Sequence, residues 1–216
     1  MKKLQLFSLF MVLTAICLMS CKEKDAIEPT YSTQTLSFTI PNGEDFSKVC
    51  DSVEASLVLN GDTPLFPLQR VAYNNGNLSF DLPIDIPEYD KFITISDIVD
   101  DDEIINDINI QITNVGAKYA FLQFNVVKDG LTPKLISWYE ISADASTMAM
   151  GNVIYCDSDC NISGIRKNGY QVVEFDCQFK KGYNFVTRTS KFDDNTLEYR
   201  FTYKTDSEPT LPTVIM

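Results

Sequence analysis

From residue 34 onward, apolar and polar positions alternate along much of the chain. Leu36, Phe38 and Ile40 form one such series; Val53, Ala55, Leu57 and Leu59 form a second, Leu78, Phe80 and Leu82 a third, and Leu197, Tyr199, Phe201 and Tyr203 a fourth. A period of two places each set on one face of a strand, so each segment is expected to be a half-buried β-strand. Five of the nine glycines follow Asn or Asp, at Asn42-Gly43, Asn60-Gly61, Asn75-Gly76, Asp129-Gly130 and Asn168-Gly169. These pairs supply the positive φ angles that tight hairpins require. The pattern predicts an all-β chain, an antiparallel β-sandwich of two packed lobes with immunoglobulin-like or transthyretin-like architecture as the nearest analogy.

One segment breaks the alternation. In SDIVDDDEIINDI, Ser96 to Ile108, apolar residues fall at Ile98, Ile104, Ile105 and Ile108, which suits a short helix or an acidic connection. The boundary between lobes is placed here, giving an N-terminal lobe over 34–105 and a C-terminal lobe over 106–216. The carboxylates of Asp97, Asp100, Asp101, Asp102, Glu103 and Asp107 are the hard oxygens calcium takes, but the alternate spacing and glycine of an EF-hand are absent. A solvated acidic turn is the favoured reading, and no metal site is assigned.

The first 21 residues follow a different pattern. Two lysines precede an apolar run from Leu4 to Leu18, and Met19-Ser20-Cys21 follows. The run suits a signal h-region and is short of the roughly twenty residues a spanning helix needs. This segment resembles the leader and lipobox of bacterial lipoprotein precursors. The resemblance implies a signal peptide over 1–20, lipidation of Cys21 and a cell-envelope address at the outer membrane, facing the periplasm or the surface. Residues 21–33, polar and carrying Pro29, then read as a lipidated tether. Each buried acyl methylene adds roughly 0.8 kcal/mol, so several chains hold a protein to a bilayer without a spanning helix.

Composition narrows the chemistry further. The chain of 216 residues carries a net charge of −12, which argues against nucleic acid or anionic headgroups as partners. It contains no histidine, which removes Ser-His-Asp and Cys-His nucleophile activation and His-ligated metals. Paired-carboxylate catalysis, as in a glycosidase, survives on composition alone.

Three further stretches carry a second resemblance. YNNGNLSFDLP (Tyr73 to Pro83), YCDSDCNISG (Tyr155 to Gly164) and KKGYNFV (Lys180 to Val186) resemble, in that order, patterns of uncharacterised Bacteroidota lipoproteins that read YxNGxFxxxLP, YxDxDxxIxG and LKKGWN. The chain departs by placing Tyr183 where Trp is common and cysteines inside the second stretch. The resemblance implies an all-β exported lipoprotein and no particular activity.

With Cys17 in the leader and Cys21 lipidated, Cys50, Cys156, Cys160 and Cys177 remain, an even number in an oxidising compartment. If Asn168-Gly169 forms a two-residue type I′ loop, Lys167 faces Tyr170, Ile162 faces Phe175 and Cys160 faces Cys177. That pair then occupies a non-hydrogen-bonded site with a Cα separation of roughly 4.5 Å, within disulfide range. A Cys160–Cys177 bridge is expected, leaving Cys50 and Cys156 to pair or stay reduced. A longer loop would oppose Cys156 to Cys177, and a turn within CDSDC would join Cys156 to Cys160. A four-cysteine zinc site and a redox centre are disfavoured by the spacing, with no CxxC present.

Trp138 is the only tryptophan, in LISWYEISA. Leu135, Tyr139 and Ile141 are read as the core face of that strand, with Trp138 beside Glu140 on the other, where it would stack on a sugar ring or pack against a neighbouring lobe. The expected function is therefore a lipid-anchored, non-enzymatic envelope protein with a structural or interaction role and no cofactor. Its expected partners are the membrane, through the anchor, and an envelope protein or a glycan. The alternative is a glycan-binding accessory of a nutrient-uptake system.

Overall fold

In a computed structural model, residues 32–40, 46, 48–59, 65–87, 92–95, 107–132, 134–206, 208 and 213–215 are described. The leader, Cys21, almost all of the tether, Asn42-Gly43, Asn60-Gly61 and the acidic residues Asp97 and Asp100 to Glu103 lie outside them. Strands β1 (Thr33–Thr39) and β4 (Asn77–Pro83) pair antiparallel as a small sheet. Leu36, Phe38, Leu78, Phe80 and Leu82 face inward and are buried. The outer face carries cross-strand polar pairs instead, with Thr35 donating to Asp81 (2.6 Å) and Ser37 bonded to Ser79 (2.9 Å). The expected turn before β4 is present, with φ of 47° at Asn75 and 87° at Gly76, the two positive angles of a type I′ turn.

The larger sheet contains β2 (Ser52–Val58), β3 (Leu65–Ala72), β6 (Asp107–Ile112), β7 (Lys118–Val127), β8 (Lys134–Ile141), β9 (Thr147–Cys156), β10 (Cys160–Asn168), β11 (Gln171–Phe179), β12 (Gly182–Asp193) and β13 (Glu198–Asp206). Their order is β3-β2-β7-β8-β9-β12-β13-β11-β10-β6, with β5 (Ile93–Thr94) on β7, β14 (Thr213–Ile215) on β8, and a direct β7–β9 pairing. Pro67 lies in β3, at the end of that path, where a missing backbone N–H is tolerated. The result is an all-β fold of two packed sheets, sandwich-like as expected. One pairing departs from the antiparallel rule: β11 and β13 run parallel, Gln171 opposite Tyr199 through Asp176 opposite Lys204.

Three central strands are covered on both faces. On one side, Ala120, Leu122 and Phe124 of β7, Val153 and Tyr155 of β9, and Tyr183 of β12 join β1, β2, β4 and β8 in a first core. On the other side, Tyr119, Ile154, Cys156 and Val186 of the same strands join β10 and β11 in a second core. Two-sided burial turns a strand into a continuous apolar run such as Val153-Ile154-Tyr155-Cys156, which is why β9 lacks the alternation that marks β1 or β4. The first core thus draws on strands from both sides of residue 105.

Strand β8 corrects the face assignment. Ile136 and Trp138 point into the first core, whereas Leu135, Tyr139 and Ile141 are 36%, 37% and 50% exposed. Both faces of this strand carry apolar side chains, so period alone does not choose between them. The choice follows the larger payload: the indole packs edge-on against Phe38 (5.0 Å), Phe124 (5.7 Å) and Phe185 (6.1 Å).

Candidate functional site

The cysteines do not pair as expected. The β10–β11 register sets Asn168 opposite Gln171, Ile162 opposite Cys177 and Cys160 opposite Phe179, so the predicted Cys160–Cys177 opposition is replaced by a diagonal one. The cause is turn chemistry: Gly169, at φ 55°, is the first central residue of the loop and Tyr170 the second, as in a type II′ turn, rather than Asn168-Gly169 forming a type I′ turn. The shift of one residue on each strand keeps both cysteines on the core face and moves them out of direct opposition. Cys50, Cys156, Cys160 and Cys177 are all buried free thiols.

Burial pushes the Cys50 thiol up to about 11, aided by neighbouring Asp51, and the Cys177 thiol to about 12. Cys156 and Cys160 are raised chiefly by the same desolvation. A protonated thiol is a poor nucleophile and a poor metal ligand, so these four behave as small core hydrophobes. Among the described residues no group of three or more Cys, Asp or Glu is placed to hold a metal ion.

The three motif stretches converge on one corner. Asp159 accepts the Lys181 backbone N–H and the Lys180 ammonium, each at 2.9 Å, tying the second stretch to the third. Tyr183 O–H donates to the Pro83 carbonyl (2.9 Å), and Tyr155 O–H donates to the Ile84 carbonyl (2.7 Å), tying both to the end of the first. Gln34 clamps the Tyr183 backbone, donating to its carbonyl (2.8 Å) and accepting from its N–H (2.7 Å). Gly182, at φ 102°, sits where a Cβ would lie 2.5 Å from Gln34 Oε1. These residues lock the two sheets together.

Beside that corner lies a polar groove of about 500 Å³ lined by Gln34, Gln178, Asn184, Thr205 and Asp206, among others. Its polar groups are largely committed to structure: Asn184 donates to the Lys180 and Gly182 carbonyls, Thr205 accepts the Gln178 N–H, and Asp206 accepts from Thr187. The predicted stacking residue, Trp138, is 3% exposed, and its ring offers no open face to a sugar.

A second cavity, of about 340 Å³, has different chemistry. It lies within the second core, between β7, β9, β10, β11, β12 and β13, and its walls include Ile162, Val173, Phe175 and Val186. Arg166 of β10 and Arg188 of β12 also line it, while no Asp or Glu does. The Arg188 guanidinium lies over the Phe201 ring at 5.9 Å, and its Nη2 is 3.2 Å from Met150 Sδ. Its Nε is buried and has no acceptor. The register explains why both line it: Arg188 opposes Tyr203 on β13, which opposes Phe175 on β11, and Arg166 opposes Val173 two residues along β11, so the two arginines share one cavity only through the sheet order. Sequence reading missed both, because a lone Arg in a strand looks like a solvated position. Apolar walls with a few polar groups are the usual make-up of a small-molecule site.

No family model, no curated protein and no solved structure matches the chain.

Proposed function

We propose that the protein is a lipid-anchored, non-catalytic component of the cell envelope that acts as a structural or binding module. The observation that carries the anchor is the apolar run from Leu4 to Leu18 closing on Met19-Ser20-Cys21 behind two lysines. Its product is an acylated Cys21, a polar tether to about residue 33 and a folded β unit held at the outer membrane, facing the periplasm or the surface. The motif resemblance to Bacteroidota exported lipoproteins agrees with that address.

The non-catalytic reading is supported by the side-chain chemistry of the described residues. The thiols are held protonated by burial. The carboxylates with displaced pKa values, Asp144, Asp159, Asp193 and Glu198, are lowered by hydrogen bonds, which suits ionised surface acceptors rather than general acids. The glycan-accessory alternative rested on Trp138, whose ring is enclosed, and on the tyrosines, of which Tyr139, Tyr170 and Tyr199 are exposed, so it keeps only the latter support.

Replacing Cys21 by Ala tests the anchor. After cell fractionation, the wild type is expected in the membrane pellet and the Cys21→Ala variant in the soluble fraction. Equal membrane retention of the two would sink the lipoprotein reading.

A further inference from the structure

The arginine-lined cavity has more positive charge than its own walls use. Among the described residues, Arg70, Lys128, Lys167, Lys180, Lys181 and Arg200 all take carboxylate partners. Arg188 takes none, and unlike Lys134, Lys191 and Lys204, which are unpaired but exposed to solvent, it has a buried guanidinium nitrogen. Its guanidinium contacts a thioether and an aromatic face, and its buried Nε lacks an acceptor. A desolvated guanidinium N–H without an acceptor is costly and is relieved by an anion that reaches it.

Size, shape and charge restrict that anion. A cavity of about 150 Å³ is filled by one benzene ring, so 340 Å³ accommodates on the order of a dozen heavy atoms. Hydrocarbon walls on β10, β11 and β12 favour an apolar body, and one unpaired guanidinium is matched by one planar, two-oxygen head group. We infer that this cavity binds a free medium-chain monocarboxylate, with its carboxylate on Arg188 and its hydrocarbon chain along Ile162, Val173 and Phe175. Arg166, on the same wall, adds positive potential to the site. The inference goes beyond the envelope role and does not depend on the anchor.

Calorimetric titration of the purified full chain with octanoate, octanol and octylammonium tests it. Octanoate is expected to bind one to one, octanol about tenfold or more weakly, and octylammonium not at all. Arg188→Met should reduce octanoate affinity to the octanol level and leave octanol unchanged, while Arg188→Lys should recover part of the loss. Absence of octanoate binding, equal affinity for octanoate and octanol, or full octanoate affinity in folded Arg188→Met would each overturn the assignment. If Arg188→Met does not fold, as judged by circular dichroism, the three ligands on wild-type protein decide alone. Fractionation of the Cys21→Ala variant reads the anchor separately, so either reading can fail without the other.

Discussion

Tyr155 is enclosed on all sides, and its hydroxyl and that of Tyr183 reach carbonyls at the end of β4 while their rings pack 5.2 Å apart. Burial also raises the Tyr183 phenol pKa, so its hydroxyl stays a donor at neutral pH. Removing either oxygen leaves a backbone carbonyl without its donor in a dry site. Tyr155→Phe and Tyr183→Phe are each expected to cost about 1–2 kcal/mol in urea unfolding, with a non-additive double variant because the rings share one pocket. A loss below a few tenths of a kcal/mol in both would show that these bonds do not hold the sheets. At this scale much was legible: the alternation at 36, 38 and 40 or at 78, 80 and 82 named core residues correctly. Trp138 was placed on the wrong face because Leu135, Tyr139 and Ile141 make the opposite side of the same strand equally apolar.

Among the elements, the turn between β8 and β9 is built around one carboxylate. Asp144 Oδ1 accepts from Ser142 Oγ (2.7 Å), Ser146 N–H (3.0 Å) and Ser146 Oγ (2.9 Å), and these bonds to the ionised form lower its pKa from 3.8 to about 2. A depressed folded-state pKa means the stabilisation is present above about 3.8 and is lost as the pH falls through about 2. Carbon-detected titration of the Asp144 carboxyl should place its midpoint near 2, and Ser142→Ala with Ser146→Ala should return it toward 3.8. A wild-type midpoint already at the ordinary value would refute the turn. Turn chemistry also marks where the sequence misled: Asn168-Gly169 announced a hairpin, but placing Gly169 first in the loop moved every opposed pair. Strands were readable where one face meets solvent and unreadable where both are covered, as in β7, β9 and β12.

At the scale of the molecule, residues from Ser32 onward form one compact unit in which β7, β9 and β12 are a wall common to both cores. Neither core keeps its boundary if that wall melts, so the two are expected to unfold together. Trp138 fluorescence reports the first core, and alkylation of Cys156, Cys160 and Cys177 reports the second. Their urea midpoints should coincide. A thiol transition well separated from the fluorescence transition would show two independent lobes. The cavity, by contrast, was invisible from sequence, since Arg166 and Arg188 become neighbours of one space only after four strands take their places.

That placement has a temporal side. β11 and β12 run in opposite directions with only Lys180 and Lys181 between them, yet they do not pair, because β13 lies between them, antiparallel to β12 and parallel to β11. The gap is closed by β13 alone. Until that strand is available, β10 and β11 have no attachment to β12, and both flanking edges stand open to mispairing. The second core is therefore completed only when β13 pairs with β11 across 28 residues of chain, a non-local closure of the kind that folds slowly. A chain cut after Asp193 would lose far more than a tail: it would leave two unjoined pieces of sheet.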